Sequence, residues 1–288
     1  MKLKLVTGIL AALSLTAAQA EPTSSVWKVS KGTDYIYVGG TVHLLPTSEF
    51  PLPKAFDKAY QDSQGIVLET DVPDPNDVQA QMQMMQAMAY TDGRTLKDVL
   101  KPKTFKALSD YFAQFGASVE QLQGFKPGFI MTMMLAMAAQ KEQMAGEGVD
   151  AYFDKLAIKD KKLIEYLESV EFQINMLANL GEGQEDKFIN SNLDQMNDFK
   201  PLMLKMIKAW RSGDVATIEQ VLNEQMKDEN PEMYNTMITA RNKNWIAKIE
   251  NLFTDNDKEF VLVGAGHLAG DDNVLELLSE KGYKISQM

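Results

Sequence analysis

Phe260-Val261-Leu262-Val263-Gly264-Ala265-Gly266-His267 is the stretch on which the reading of the fold turns. Its apolar, partly β-branched start reads as a strand, and the glycine turn that follows carries a histidine just past the strand's carboxyl end. Near the other end of the chain, Tyr35-Ile36-Tyr37-Val38-Gly39-Gly40-Thr41-Val42-His43 follows the same order. His43 and His267 are the chain's only two histidines, and each closes a G-x-x-H phrase. In open α/β sheets, ligands bind beyond the carboxyl ends of the strands. Either phrase alone reads more readily as an ordinary loop histidine. Two in matching contexts predict a pair of imidazoles at one sheet edge.

Working outward, both ends of the chain read as strand-containing and the middle as helical. Val26–Val29 and Tyr35–Val38 flank Lys31-Gly32-Thr33-Asp34 as a hairpin. Pro51–Asp62 has helical spacing, Gly65–Glu69 is a short buried-strand pattern, and Lys162–Leu167 is a further strand ending at Glu168. Residues 76–90 read as a Gln- and Met-rich helix, 95–160 as four helices, and 169–251 as helical with breaks near glycines and prolines. A strand at Glu259–Val263, a helix at Asn273–Glu280 and a strand at Tyr283–Ser286 complete the chain. The expected fold is mixed α/β (α+β): a central mixed sheet formed by the N- and C-terminal segments, with a large helical insertion at about 72–250. Residues 21–288 form one domain in this reading.

Residues 1–20 read as a secretory signal. Lys2 and Lys4 precede an apolar run, and Ala18-Gln19-Ala20 offers a small-x-small cleavage site before Glu21. The run is short for a span, which needs about 20 apolar residues. The expectation is a periplasmic or secreted product with no membrane span after cleavage. Losing Lys2 and Lys4 would take the formal charge from −11 to −13. So acidic a protein is a poor partner for nucleic acid or anionic lipid. The absence of cysteine excludes disulfides, thiolate ligands and a thiol nucleophile. A transition-metal site would have to use His, carboxylate, carbonyl or water. The 18 methionines include clusters at 82–88 and 131–144, which read as packing faces more readily than as copper ligands, with a groove for an apolar peptide as a third possibility.

Three expected core strands end in a side chain that can ligate or transfer protons: Glu69, Glu168 and His267. The first hairpin leads to His43. If the strands are parallel neighbours, all four meet at one edge. Two histidines and two carboxylates suit a divalent metal or general acid–base work. For the glutamates, a solvated strand end or an ion pair is the competing reading. No H-E-x-x-H, G-x-S-x-G, phosphate-loop or dinucleotide-loop pattern occurs.

These phrases resemble the TraB/GumN family, which includes the Tiki-type proteases. The likeness runs through Tyr37–Leu45, Ile66–Asp71, Gly148-Val149-Asp150, Tyr166–Gln173, Tyr234, Arg241-Asn242 with Trp245, and Val263–Gly270. It implies a metal-dependent protease with two G-x-x-H motifs and an essential glutamate, and so maps metal ligation onto His43, His267 and Glu69. Glu69 would be a third ligand or the base, with Glu168 a weaker candidate for the same work. Asp150, Glu171, Arg241 and Asn242 would orient the ligands or hold substrate, although Arg241 reads equally as a structural ion pair. Gly40, Gly264 and Gly266 would let the backbone turn close to a ligand. The implied cofactor is a divalent ion such as Mn²⁺, Co²⁺ or Zn²⁺, and the implied substrate a peptide or protein. The alternative is a non-catalytic binding protein that uses the same cleft for a metal, a haem-like ligand or a peptide.

Overall fold

The computed structural model describes residues 23–71, 77–254 and 257–288. The expected signal segment lies outside the described residues. Six strands form one sheet: β1 (Val26–Lys31), β2 (Asp34–Thr41), β3 (Gly65–Leu68), β4 (Leu163–Tyr166), β5 (Glu259–Gly264) and β6 (Lys284–Gln287). Their order is β4-β3-β5-β2-β1-β6. The hairpin β1–β2 is antiparallel, with Lys31 opposite Asp34, and β6 pairs antiparallel with β1. The other pairings, β2 with β5, β5 with β3 and β3 with β4, are parallel. A mixed sheet joining both ends of the chain is therefore as expected, although its edge strand β4 comes from within the 72–250 span. Residues far apart in sequence become neighbours: Gly40 lies opposite Val263, and Thr41 opposite Gly264.

Period-two alternation sends the two faces of the sheet into different cores. Tyr37, Ile66, Leu68, Phe260 and Leu262 join one core, in which Phe56, Phe153, Trp210 and Phe260 form an aromatic cluster. Ile36, Val38, Val67, Val261 and Val263 join the other, covered by Trp245, Ile246, Ile249, Val274 and Leu278. The helical insertion has its own core, with Leu96, Leu108, Phe112, Ile130 and Phe188 among its members.

Three details depart from the sequence reading. The first helix is Lys54–Asp62 rather than Pro51–Asp62, because a residue before proline is pushed out of the α region and Leu52 precedes Pro53. Strand β4 is an edge strand with Leu163 61% exposed, not a core strand. The two methionine clusters also differ. Met134 is buried in the insertion's core with Met131, Met133 and Met137 packed around it, whereas Met82 and Met85 on the helix Val78–Ala87 are exposed.

Candidate active site

The parallel strands β2, β5, β3 and β4 share a carboxyl-terminal edge, and the chemistry-bearing residues meet there. His43 follows β2. Glu69 immediately follows β3. Glu168 lies just beyond β4, and Glu168 N–H donates to the Glu69 carbonyl at 2.7 Å, which prolongs the β3–β4 ladder and sets the two glutamates side by side. His267 sits in the 3₁₀ turn Ala265–Leu268 after β5. Asn223 clamps that turn from the insertion, donating to the carbonyls of Gly266 (2.8 Å) and Ala269 (3.1 Å).

Each imidazole is oriented through Nδ1. The helix Val149–Asp160 docks by Val149 N–H to the Val42 carbonyl (3.0 Å), which brings Asp150 Oδ1 to 3.0 Å from His43 Nδ1. His267 Nδ1 lies 2.6 Å from Asn242 Oδ1. The Asn242 amide nitrogen donates to the Asp272 carbonyl at 2.9 Å, so its oxygen faces the ring, and His267 must carry its proton on Nδ1. The Nε2 lone pair is then left for the site.

Arg241, in the first turn of the helix Ala240–Asn251 and 4% exposed, ties the cluster together. Its Nε donates to Glu168 (3.0 and 3.1 Å). Nη1 donates to the Met237 carbonyl (3.0 Å) and His267 Nε2 (3.0 Å). Nη2 donates to Glu69 Oε2 (2.5 Å) and Glu168 Oε2 (2.8 Å). All five guanidinium N–H groups are thus engaged. Gln173 donates to both glutamates, at 3.1 and 3.2 Å. Trp245 Nε1 donates to Glu168 at 2.9 Å, and the Trp245 ring packs on His267 with centroids 4.4 Å apart. Glu69 Oε1 accepts the Gly264 N–H at 2.6 Å and lies 3.8 Å from His267 Nε2.

Burial opposes ionisation of Glu69, while Arg241, His43 and the Gly264 N–H favour it, and the carboxyl is held below its usual range. Burial keeps His267 neutral, against the pull of Glu69. With that ring uncharged, the guanidinium is the group that compensates the Glu69 charge. At His43 the Asp150 carboxylate raises the imidazole pKa. That side chain is 67% exposed, so solvent screens the pairing.

Of the residues named from sequence, His43, Glu69, Asp150, Glu168, Arg241, Asn242 and His267 come together. Glu171 does not: it is exposed on the first turn of the helix Val170–Ala178. Gln173, about 200° further round that helix, reaches the glutamates instead. Gly40, Gly264 and Gly266 all avoid the left-handed region, so a tight turn is not their purpose. A Cβ at Gly40 would meet the Ala265 Cα at 3.3 Å, and one at Gly266 the Asn223 side chain at 3.1 Å. Gly264 alone faces the site, where a Cβ would stand 3.2 Å from Glu69 Oε1, 3.6 Å from His267 Cδ2 and 3.7 Å from His43 Nε2. Asn223, Gln173 and Trp245 were not named for the site. Trp245 carried a signal, four residues after Arg241 on the same helical face. Asn223 carried none, because it acts on main chain 43 residues away.

Among the described residues, no group of three or more His, Cys, Asp or Glu side chains is spaced, as it stands, to hold a metal ion. The donor set nevertheless fits a divalent ion in kind. His43 and His267 each have Nδ1 engaged by a partner that orients the ring, the arrangement usual for metal-binding histidines. Glu69 is ionised beside them, and Gly264 leaves a hollow where a side chain would otherwise stand between the three.

Comparison with known families places the chain: residues 25–287 match the TraB/PrgY/gumN family, to which this chain belongs. Among its relatives, Metalloprotease TIKI2 of Xenopus tropicalis is 24% identical over 94% of this chain and 61% of its own length. Metalloprotease TIKI1 of Danio rerio is 23% identical over 93% of this chain and 63% of its own. The chain thus spans less than two thirds of those relatives. The Uncharacterized protein YbaP of Escherichia coli is 22% identical over 86% of this chain and 89% of its own length. No solved structure shows significant similarity. Among the described residues, no helix is long and apolar enough to cross a membrane.

Proposed function

We propose that this chain is a metal-dependent hydrolase of peptide bonds, with His43, His267 and Glu69 as its metal-binding centre and a peptide or protein as substrate. The observation that carries the reading is the meeting of those three side chains around the bare Cα of Gly264, each histidine oriented through Nδ1. The metalloprotease names of the TIKI relatives support it. A divalent ion, Mn²⁺, Co²⁺ or Zn²⁺, would supply Lewis acidity toward a carbonyl and toward water.

The chain's own groups would do the rest. Asn242 and Asp150 fix the rings, and Asp150 makes His43 a stronger base. His43 must shed its proton before Nε2 can coordinate. Glu69, kept ionised by its surroundings, can ligate through Oε1 or accept a proton there. Gln173 and the Gly264 N–H restrict it to one orientation. Glu168 neutralises Arg241 and anchors it between Trp245 and the sheet edge. The N-terminal sequence supports delivery to the periplasm or cell exterior, with cleavage before Glu21.

The test is ion content and peptide turnover of the purified protein after loading with each of the three ions. One bound ion per chain, lost together with activity in His43→Ala and His267→Ala, is the expected result. Glu69→Gln that keeps the ion but loses turnover makes Glu69 the base; loss of the ion makes it a ligand. Parental ion binding and turnover in both histidine variants would overturn the assignment and leave the cleft a binding groove.

A further inference from the structure

We infer that Arg241 is a tethered cation that competes with the metal ion, and that loading the ion requires its guanidinium to release His267. This rests on the metal-centre reading above. The Asn242 amide fixes the His267 proton on Nδ1, so Nε2 holds the ring's one available lone pair. Arg241 Nη1 now donates to that lone pair, and Nη2 to Glu69. Two of the three candidate ligands are therefore satisfied by an internal positive charge. An ion can take His267 Nε2 only by displacing an N–H that points at it.

The network divides into a part that can stay and a part that can exchange. Glu168 holds Arg241 through Nε and Nη2, and is itself fixed by Trp245 and Gln173. No hydrogen bond in that half goes to His267. Glu69 keeps the Gly264 N–H and Gln173 if the guanidinium withdraws. Met237, whose carbonyl shares Nη1, belongs to the π-helical turn Asn235–Thr239 immediately before Arg241. Such turns interrupt regular helix geometry and recur at functional sites. Arg241 is thus a positioning residue that keeps the two ligands ordered and neutralised before the ion arrives, at the cost of weaker binding.

Zn²⁺ titration calorimetry on the full chain, with a competing chelator, tests this. Arg241→Gln removes the charge and leaves an amide that can still reach Glu168. It should bind one Zn²⁺ about tenfold or more tightly than the parent, because a unit positive charge within a few ångströms of a divalent ion is strongly repulsive at low effective dielectric. A purely structural role would give the opposite, a weaker site. Should that variant fail to fold, Arg241→Lys decides: one ammonium cannot serve Glu168 and His267 together, and binding should again be tighter, by a smaller factor. Equal or weaker binding in a folded variant overturns the inference while leaving the metal centre intact. If neither parent nor variant binds Zn²⁺, or Mn²⁺ and Co²⁺ tested likewise, the metal-centre reading fails and takes this inference with it.

Discussion

Replacing Gly264 with alanine separates space for a ligand from space for a turn. The residue has φ −50° and ψ 136°, a conformation any L-residue adopts, so the backbone exacts no penalty. Restricting the unfolded chain should stabilise by about 0.4–1 kcal/mol. Against this, the new methyl would lie 3.2 Å from Glu69 Oε1, a tight contact that a shift of a few tenths of an ångström relieves, and overpacking of this kind costs about 1 kcal/mol. The two nearly cancel, and thermal unfolding should move by less than the equivalent of about 1 kcal/mol. The site should not be so tolerant. Metal–nitrogen bonds are about 2.0–2.1 Å long, and the methyl would sit 3.7 Å from His43 Nε2 and 3.6 Å from His267 Cδ2, inside the hollow that the proposed ion and its ligands would share. Ion affinity by calorimetry should fall about tenfold or more, on the scale seen when ligand surroundings are disturbed. Parental affinity and turnover in Gly264→Ala would show that the hollow is not where the ion binds. Destabilisation beyond about 3 kcal/mol would show that the glycine serves the fold.

Two further substitutions probe the helix Val149–Asp160. Asp150→Asn should leave stability within about 1 kcal/mol, as for a half-solvated pair, yet weaken ion binding about 10- to 100-fold by removing the carboxylate that orients His43; parental affinity in calorimetry would deny Asp150 that role. Asp154, 7% exposed on the same helix face, has its pKa raised by burial and by the neighbouring carboxylates Asp71 and Asp150, against the opposing charge of Lys155. A carboxyl whose folded pKa is raised holds its proton more firmly in the native state, so its ionised form lowers stability above the folded pKa, and the penalty disappears below the unfolded pKa. Asp154→Asn should therefore melt higher than the parent at pH 7, with the gap closing as pH falls below about 4; a gap independent of pH would refute the electrostatic account.

The strand-end residues were legible because they depend on local pattern. An apolar run, a glycine and a histidine can be read without knowing what lies beside them, and the same holds for Glu69 and Glu168. Lateral order was not legible in the same way: the run around Leu163-Ile164 reads as core, but its strand lies at the sheet edge, since periodicity does not say how many neighbours a strand has. Glu171 and Gln173 illustrate a second limit. Residues two apart on a helix face opposite ways, and which one turns inward depends on where the helix begins. Ser169 sets that start by capping it, accepting the Phe172 N–H at 3.1 Å. Arg241 and Asn242 became candidates only through family resemblance, because nothing local distinguishes them from any polar pair on a helix.

Two helices of the insertion complete the edge by one physical rule. Asp150 and Gln173 stand in the opening turns of their helices, whereas Arg241 and Asn242 lie on a helix that continues from the π-helical turn Asn235–Thr239. Helices that cover a parallel sheet can present their amino ends to the carboxyl ends of the strands, and those ends carry partial positive charge from unpaired N–H groups. Such an edge favours anions, which suits ionised Glu69 and Glu168. It would repel a cation unless carboxylates stood between. The two glutamates are placed there by the β3–β4 ladder, before any ligand is considered. They draw in Arg241 from the insertion and leave His267 neutral between them and Asn242. The sheet thus creates a negative edge, and the insertion supplies the charge that balances it. The cation proposed for this site would have to enter a place already held by a guanidinium, which is why the affinity of the Arg241 variants bears more directly on that proposal than loss of activity in any ligand variant.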